Sequence, residues 1–154
     1  MGKLHLKKHW AKLPKIIIVE GFWQIGKTEL INYLAKRFHY TIIAEPDHVV
    51  YGIKSGISKW YRKKLGERYK DAITQLNRKK RIVMERSIIS SIAFDYAKMH
   101  KLPSGFQKDL EDIRKLKNFW AIFLYADKNL VKKRASRLED FLVKKQIINN
   151  TRFY

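Results

Sequence analysis

Residues Gly21 to Thr28 read GFWQIGKT and fit the spacing G-x-x-x-x-G-K-[ST]. Each fixed position has a chemical reason. Gly21 and Gly26 let the backbone take positive φ and come close to an anion, so that successive N–H groups of Phe22, Trp23, Gln24, Ile25 and Gly26 face it together with a helix N-terminus. Lys27 adds a compact ammonium charge suited to β and γ phosphates, and Thr28 a hydroxyl suited to Mg²⁺. The chemistry expected of this loop is the cradling of a triphosphate, with ATP and Mg²⁺ as the cofactors.

Further groups follow the points where strands are predicted to end, which is where an open α/β sheet puts its site. Glu45 follows one such strand, Glu85 and Arg86 end another, and Arg134 and Arg137 stand three residues apart on one predicted helix after a fourth. Singly, each is an ordinary surface residue type. Behind a phosphate loop they supply what phosphoryl transfer requires: a carboxylate to orient or deprotonate an acceptor hydroxyl, another to hold the metal's water shell, and arginines to neutralise the transferred charge.

The elements that must position these residues show in the apolar pattern. Lys15 to Glu20, KIIIVE, is a short β-branched run of the kind found in a central strand buried on both faces. After Lys27, Leu30, Ile31, Leu34 and Phe38 take helical spacing. Tyr40 to Ala44 is a second strand, stopped by Glu45-Pro46. A long amphipathic helix spans about Ser58 to Lys79, with Trp60, Tyr61, Leu65, Tyr69, Ala72, Ile73 and Leu76 on its apolar side. RIVMER, Arg81 to Arg86, is a third strand, followed by a helix over 87–99. Ser104 and Gln107 form a predicted capping box for the next helix. Phe119 to Tyr125 is a fourth strand, and Asp127 caps a helix that carries Arg134. The tail from Glu139 is expected to be helical. Strands alternating with helices predict parallel βαβ units in one α/β domain, a three-layer P-loop NTPase fold with a small parallel sheet flanked by helices. Its predicted limits are 15–154, preceded by a basic arm over 1–14.

Composition narrows the class. The chain has 154 residues and a formal charge of +20, with 45% hydrophobic residues and no cysteine. It can bury a core, and thiol catalysis, disulfides and cysteine metal sites are excluded. No apolar run reaches the roughly 18 residues of a membrane span, so a soluble, cytoplasmic protein with no membrane partner is expected. The charge favours polyanionic partners, nucleic acid among them, although a lysine-rich solvated surface accounts for it equally well. The histidines His5, His9, His39, His48 and His100 show no metal-ligand spacing.

The segment ERSIISSIAFDYA resembles the thymidylate kinase pattern D-R-x-x-x-S-x-x-A-Y-Q, with Glu85, Arg86, Ser90, Ala93 and Phe94 at matching places, while ERS itself is the deoxynucleoside kinase form. Glu45-Pro46 is similar to the Glu-Pro of both branches, and LYADKNLVKKRASRLEDFL resembles the stretch leading into their arginine-bearing lid. The resemblance to the thymidylate kinase and deoxynucleoside kinase family covers residues 15 to 145. It implies a nucleotide or nucleoside acceptor, often in a homodimer, bound by Glu45, Arg86, Ser90 and Phe94, with Trp60 near the base-stacking aromatic and Lys64 near an acceptor-holding arginine. It also implies Lys27, Glu45, Arg86, Arg134 and Arg137 as catalytic groups, with Thr28 and Glu85 serving Mg²⁺. This sequence departs from the pattern in its short lid, where Arg137 is soon followed by Glu139 and Asp140. It departs again in Asp95 for glutamine, in Lys64 for arginine, and in a sheet expected to hold four strands. The other readings open at this point are a polynucleotide 5′-kinase or nucleic-acid-stimulated ATPase, and a basic nucleic-acid-binding module.

Overall fold

The computed structural model describes residues 13–22, 24–47, 51–52, 57–102 and 105–136. Trp23, Arg137, the tail from Glu139 and residues 1–12 of the predicted arm lie outside them. In chain order the elements are β1 (Ile16–Gly21), α1 (Lys27–Phe38), β2 (Tyr40–Ile43), α2 (Ile57–Asn77), β3 (Arg81–Glu85), α3 (Ile88–Met99), α4 (Phe106–Arg114), β4 (Phe119–Leu124) and α5 (Lys128–Ala135). The strands form one sheet in the order β2-β3-β1-β4, and every pairing is parallel.

The β-branched run of β1 is buried along five residues because the strand is central and both faces are covered. Alternate side chains serve opposite layers. Ile16 and Ile18 join Ile43, Ile82 and Met84 under Leu65, Tyr69 and Ala72 of α2, Ile88 of α3 and Ile113 of α4. Ile17 and Val19 join Val83 and Tyr40 under Ile31 and Leu34 of α1. These are the three layers expected from the sequence, and the fold is mixed α/β with a four-stranded parallel sheet flanked by helices. Among the described residues no helix is long and apolar enough to cross a membrane.

Two local expectations need correction. Helix α4 is capped by Gly105, at φ 76 and without a side-chain cap bond; Ser104 of the predicted capping box lies outside the described residues. The cap position falls on Gly105, in the left-handed region, one residue after the predicted cap. Ile73, placed on the apolar side of α2, is exposed, because Leu65, Tyr69 and Ala72 already fill the strip against the sheet. The fourth strand is present as expected, at one edge of the described sheet, and Trp120 and Phe123 are 48% and 63% exposed. Asp127 caps α5 as predicted, accepting a 2.8 Å bond from the Asn129 N–H.

The order β2-β3-β1-β4 has one consequence for the site. From β1 the chain crosses β3 to reach β2, and from β3 it later crosses β1 to reach β4. The connections leaving β1 and β3 therefore run to opposite sides, and their carboxyl ends frame the crevice where such sheets bind ligands.

Candidate functional site

The loop after β1 has the backbone its glycines allow. Gly21 and Gly26 have φ 138 and 99, and Gly26 is the N-cap of α1. A Cβ on Gly21 would lie 2.6 Å from the Leu124 carbonyl oxygen, so the close approach of the loop to β4 needs glycine. A Cβ on Gly26 would meet only Glu29 Oε2, at an ordinary 3.7 Å, so its requirement is conformational. Phe22 is buried, Gln24 is exposed, and Ile25 is half-buried against Gly21.

Lys27 opens α1 and is only 6% exposed. Its Nζ donates a 2.8 Å bond to the Phe22 carbonyl, across the turn of the loop. Burial, and after it the neighbouring Arg86 guanidinium, lower its pKa to about 8, against the upward pull of Glu85, Glu45 and Glu20. Lys27 thus feels groups from the ends of β1, β2 and β3 at once. Thr28 is exposed on the first turn of α1.

Glu45 and Arg86 meet although they are 41 residues apart in sequence. Arg86 Nε lies 3.3 Å from Glu45 Oε2, and Nη1 donates at 3.4 Å to Oε1, so both carboxylate oxygens are engaged. Burial pushes the Glu45 carboxyl above its ordinary range, against the pull of Arg86 and with the push of Glu85. Arg86 has φ 57, the left-handed region, and its N–H donates to the Val19 carbonyl at 2.9 Å.

From the other side, Arg134 on α5 donates a 2.8 Å bond to the Gln24 carbonyl, which puts it on the phosphate loop itself. Arg137 cannot be placed beside it, since it lies outside the described residues.

The remaining candidates are arranged differently. Ser90 donates its hydroxyl to Glu20, the last residue before Gly21, instead of facing free space. Lys64 pairs with Glu67 at 2.6 Å and lies 5.6 Å over the Tyr51 ring. Trp60 packs against Tyr51 and Tyr61, with ring centroids 5.4 and 5.0 Å away. Phe94 is on α3, and its side chain is outside the description.

Two residues the sequence reading did not single out hold this arrangement together. Glu20, 1% exposed, accepts bonds from the Ser87 N–H at 2.8 Å and from the hydroxyls of Ser87 and Ser90. It joins the base of the phosphate loop to the N-terminus of α3. Arg68 of α2, 8% exposed, donates to the carbonyls of Ile43, Glu85 and Arg86. Both left a trace in the sequence: Glu20 is a charge closing a buried run, and Arg68 falls between Leu65 and Ala72 on the apolar strip of its helix.

The donor set suits a hard cation held largely by its ligand. Thr28 offers a hydroxyl and Glu85 a carboxylate, whereas Glu20 is already satisfied. Among the described residues no three His, Asp or Glu side chains gather as a metal cage. Mg²⁺ fits such a site, because it keeps water and phosphate oxygens and takes few protein ligands.

No family model matches the sequence, and no curated protein is significantly similar to it. Solved structures are similar in fold. The YorR protein from Bacillus subtilis in complex with phosphorylated GDP is 22% identical with a TM-score of 0.54, over 89% of this chain and 77% of that one. Deoxyadenosine kinase from M. mycoides with bound dATP is 14% identical with a TM-score of 0.56, over 90% and 78%. The parallel sheet order, the loop between β1 and α1, and these likenesses together show the fold, a three-layer α/β P-loop fold with a four-stranded parallel sheet flanked by helices.

Proposed function

We propose that this chain is an ATP- and Mg²⁺-dependent phosphotransferase that moves a γ-phosphoryl group to a nucleoside or nucleotide, in the manner of thymidylate and deoxynucleoside kinases. The observation that carries the reading is the gathering, past the carboxyl ends of β1, β2 and β3, of the buried Lys27 ammonium and the Glu45–Arg86 pair, close enough for both to act on the Lys27 charge. The fold shared with structures that hold dATP and phosphorylated GDP supports a nucleotide as ligand.

In this reading the loop amides from Phe22 to Thr28 and the α1 N-terminus bind the donor phosphates, and Lys27 exchanges its Phe22 bond for a phosphate oxygen. Thr28 and Glu85 hold Mg²⁺, which when bound neutralises phosphate charge. Glu45 accepts the proton of the acceptor hydroxyl as its oxygen attacks the γ-phosphorus. The bond from that phosphorus to the β–γ bridging oxygen breaks, and ADP leaves with the electron pair. A carboxyl raised by burial is a better base than an ordinary glutamate, and Arg86 orients it. Arg134, with Arg137, stabilises the transferred charge from the α5 side. Trp60, Lys64, Ser90 and Phe94 complete the acceptor side.

The test is a screen of nucleosides, nucleoside monophosphates and oligonucleotide 5′ ends as acceptors from labelled ATP. Label transfer to a nucleoside or monophosphate, abolished by Lys27→Ala, is the expected result. Transfer to none of the acceptors would refute the reading, and transfer only to oligonucleotide ends would replace its acceptor.

A further inference from the structure

The parallel ladder between β2 and β3 ends at Ile43 opposite Met84. Beyond that register the chain continues as Glu45 on one side and, after Glu85, as Arg86 on the other, so the regular ladder stops where the candidate groups begin. A buried carbonyl requires a donor. A side chain from another layer donates at this end: Arg68 Nη2 bonds the Ile43 carbonyl at 3.2 Å, the Arg86 carbonyl at 3.3 Å, and the Glu85 carbonyl.

A neutral donor would satisfy carbonyls with less desolvation than a buried cation. The three carbonyls share the N–H groups of one nitrogen, Nη2; what arginine adds is that the delocalised guanidinium holds those N–H groups in its plane and so fixes their direction, whereas a lysine ammonium rotates about its last bond. The acceptors here are the backbone on which the reacting groups are mounted. Glu45 lies two residues past Ile43. Arg86 stands at φ 57, a conformation L side chains rarely adopt, which persists where the surroundings over-determine it. Its N–H is pinned by Val19 of β1 and its carbonyl by Arg68 of α2. With both ends of the residue fixed, the Arg86 side chain is aimed at the Glu45 carboxylate.

We infer that Arg68 is a positioning residue, whose guanidinium clamps the ends of β2 and β3 so that Glu45 and Arg86 keep their paired geometry. Its effect on turnover rests on the phosphotransferase reading above. Its effect on the pair does not.

The experiment uses the full chain with Arg68→Lys and Arg68→Met, both checked for folding by circular dichroism. The first readout is the titration midpoint of the Glu45 carboxyl, followed by carbon NMR in the free protein. The groups facing this carboxyl are Arg86 and Glu85 after β3, Lys27 of α1 and Arg68 of α2. Arg68→Lys keeps the charge on α2, so a purely through-space influence leaves the midpoint in place. Loss of the clamp loosens the Arg86 pair and moves the midpoint up by about 1 pH unit. The second readout is kinetic: kcat falls about 100-fold in Arg68→Lys, the loss typical of a misplaced reacting group, while ATP affinity stays within about twofold.

A folded Arg68→Lys protein with an unmoved Glu45 midpoint overturns the inference. So does loss of folding in both variants, which would make Arg68 a structural residue. If the wild-type protein transfers no phosphoryl group, the function proposed above fails, and the Glu45 titration alone decides the role of Arg68.

Discussion

Lys27 shows at the scale of one residue how a binding site works against the stability of its own fold. Its ammonium is buried beside the Arg86 guanidinium, and both influences disfavour its charge, bringing the pKa from 10.5 to about 8. Below about 8 both the folded and unfolded chains hold the proton, and the folded state carries the full penalty. Between about 8 and 10.5 the folded protein gives up the proton while the unfolded chain keeps it, so stability rises with pH across that window. Lys27→Met removes the penalty. The variant is expected to be more stable at pH 7 by about 1–2 kcal/mol in chemical denaturation, to lose the rise between pH 8 and 10, and to lose turnover by about 100-fold or more. A variant less stable than wild type at pH 7 would show that the Phe22 bond outweighs the buried charge.

At the scale of elements, the strand–loop–helix unit from Ile16 to Phe38 carries the donor half of the proposed site, and its glycines divide the work. Gly21 is wedged against the Leu124 carbonyl at φ 138, whereas a side chain on Gly26, at φ 99, would make only an ordinary contact with Glu29. Gly21→Ala is therefore expected to lower stability by about 2–3 kcal/mol, and Gly26→Ala by about 1 kcal/mol, measured by urea denaturation. Equal losses would contradict the backbone contact. This unit was the most legible part of the sequence, because a buried strand, a spaced glycine loop and an amphipathic helix each leave a strong local pattern. The pairing of Glu45 with Arg86 was legible only as two residues following strand ends. The register of β2 on β3 brings them into contact, and no local spacing encodes that register. Arg68 and Glu20 escaped attention because charged residues are abundant in this chain, and their burial depends on which layers cover them. The edge position of β4 was illegible for a related reason: an apolar strand reads alike at the centre of a sheet and at its edge.

For the whole molecule the governing quantity is charge. A chain of 154 residues at +20 repels itself, and its field concentrates anions at its surface, where the proposed site would meet them with loop amides and the Lys27 ammonium. Raising NaCl from about 0.05 to 0.5 M is expected to raise Tm by about 2–5 °C through screening, and tripolyphosphate at millimolar level by more, since it also binds the loop. A Tm indifferent to both would mean that acidic groups near the cations already balance the surface. The central claim is that the loop between β1 and α1 grips a triphosphate through its amides and Lys27, and proton linkage tests it most directly. ATP with Mg²⁺ is titrated calorimetrically into the wild-type protein at pH 8 in two buffers of different ionisation enthalpy. Because Lys27 is about half protonated there and a bound phosphate requires its charge, binding should take up about half a proton, and Lys27→Ala should abolish that uptake. No binding at millimolar ATP, or binding with the same proton count in both proteins, would contradict the account.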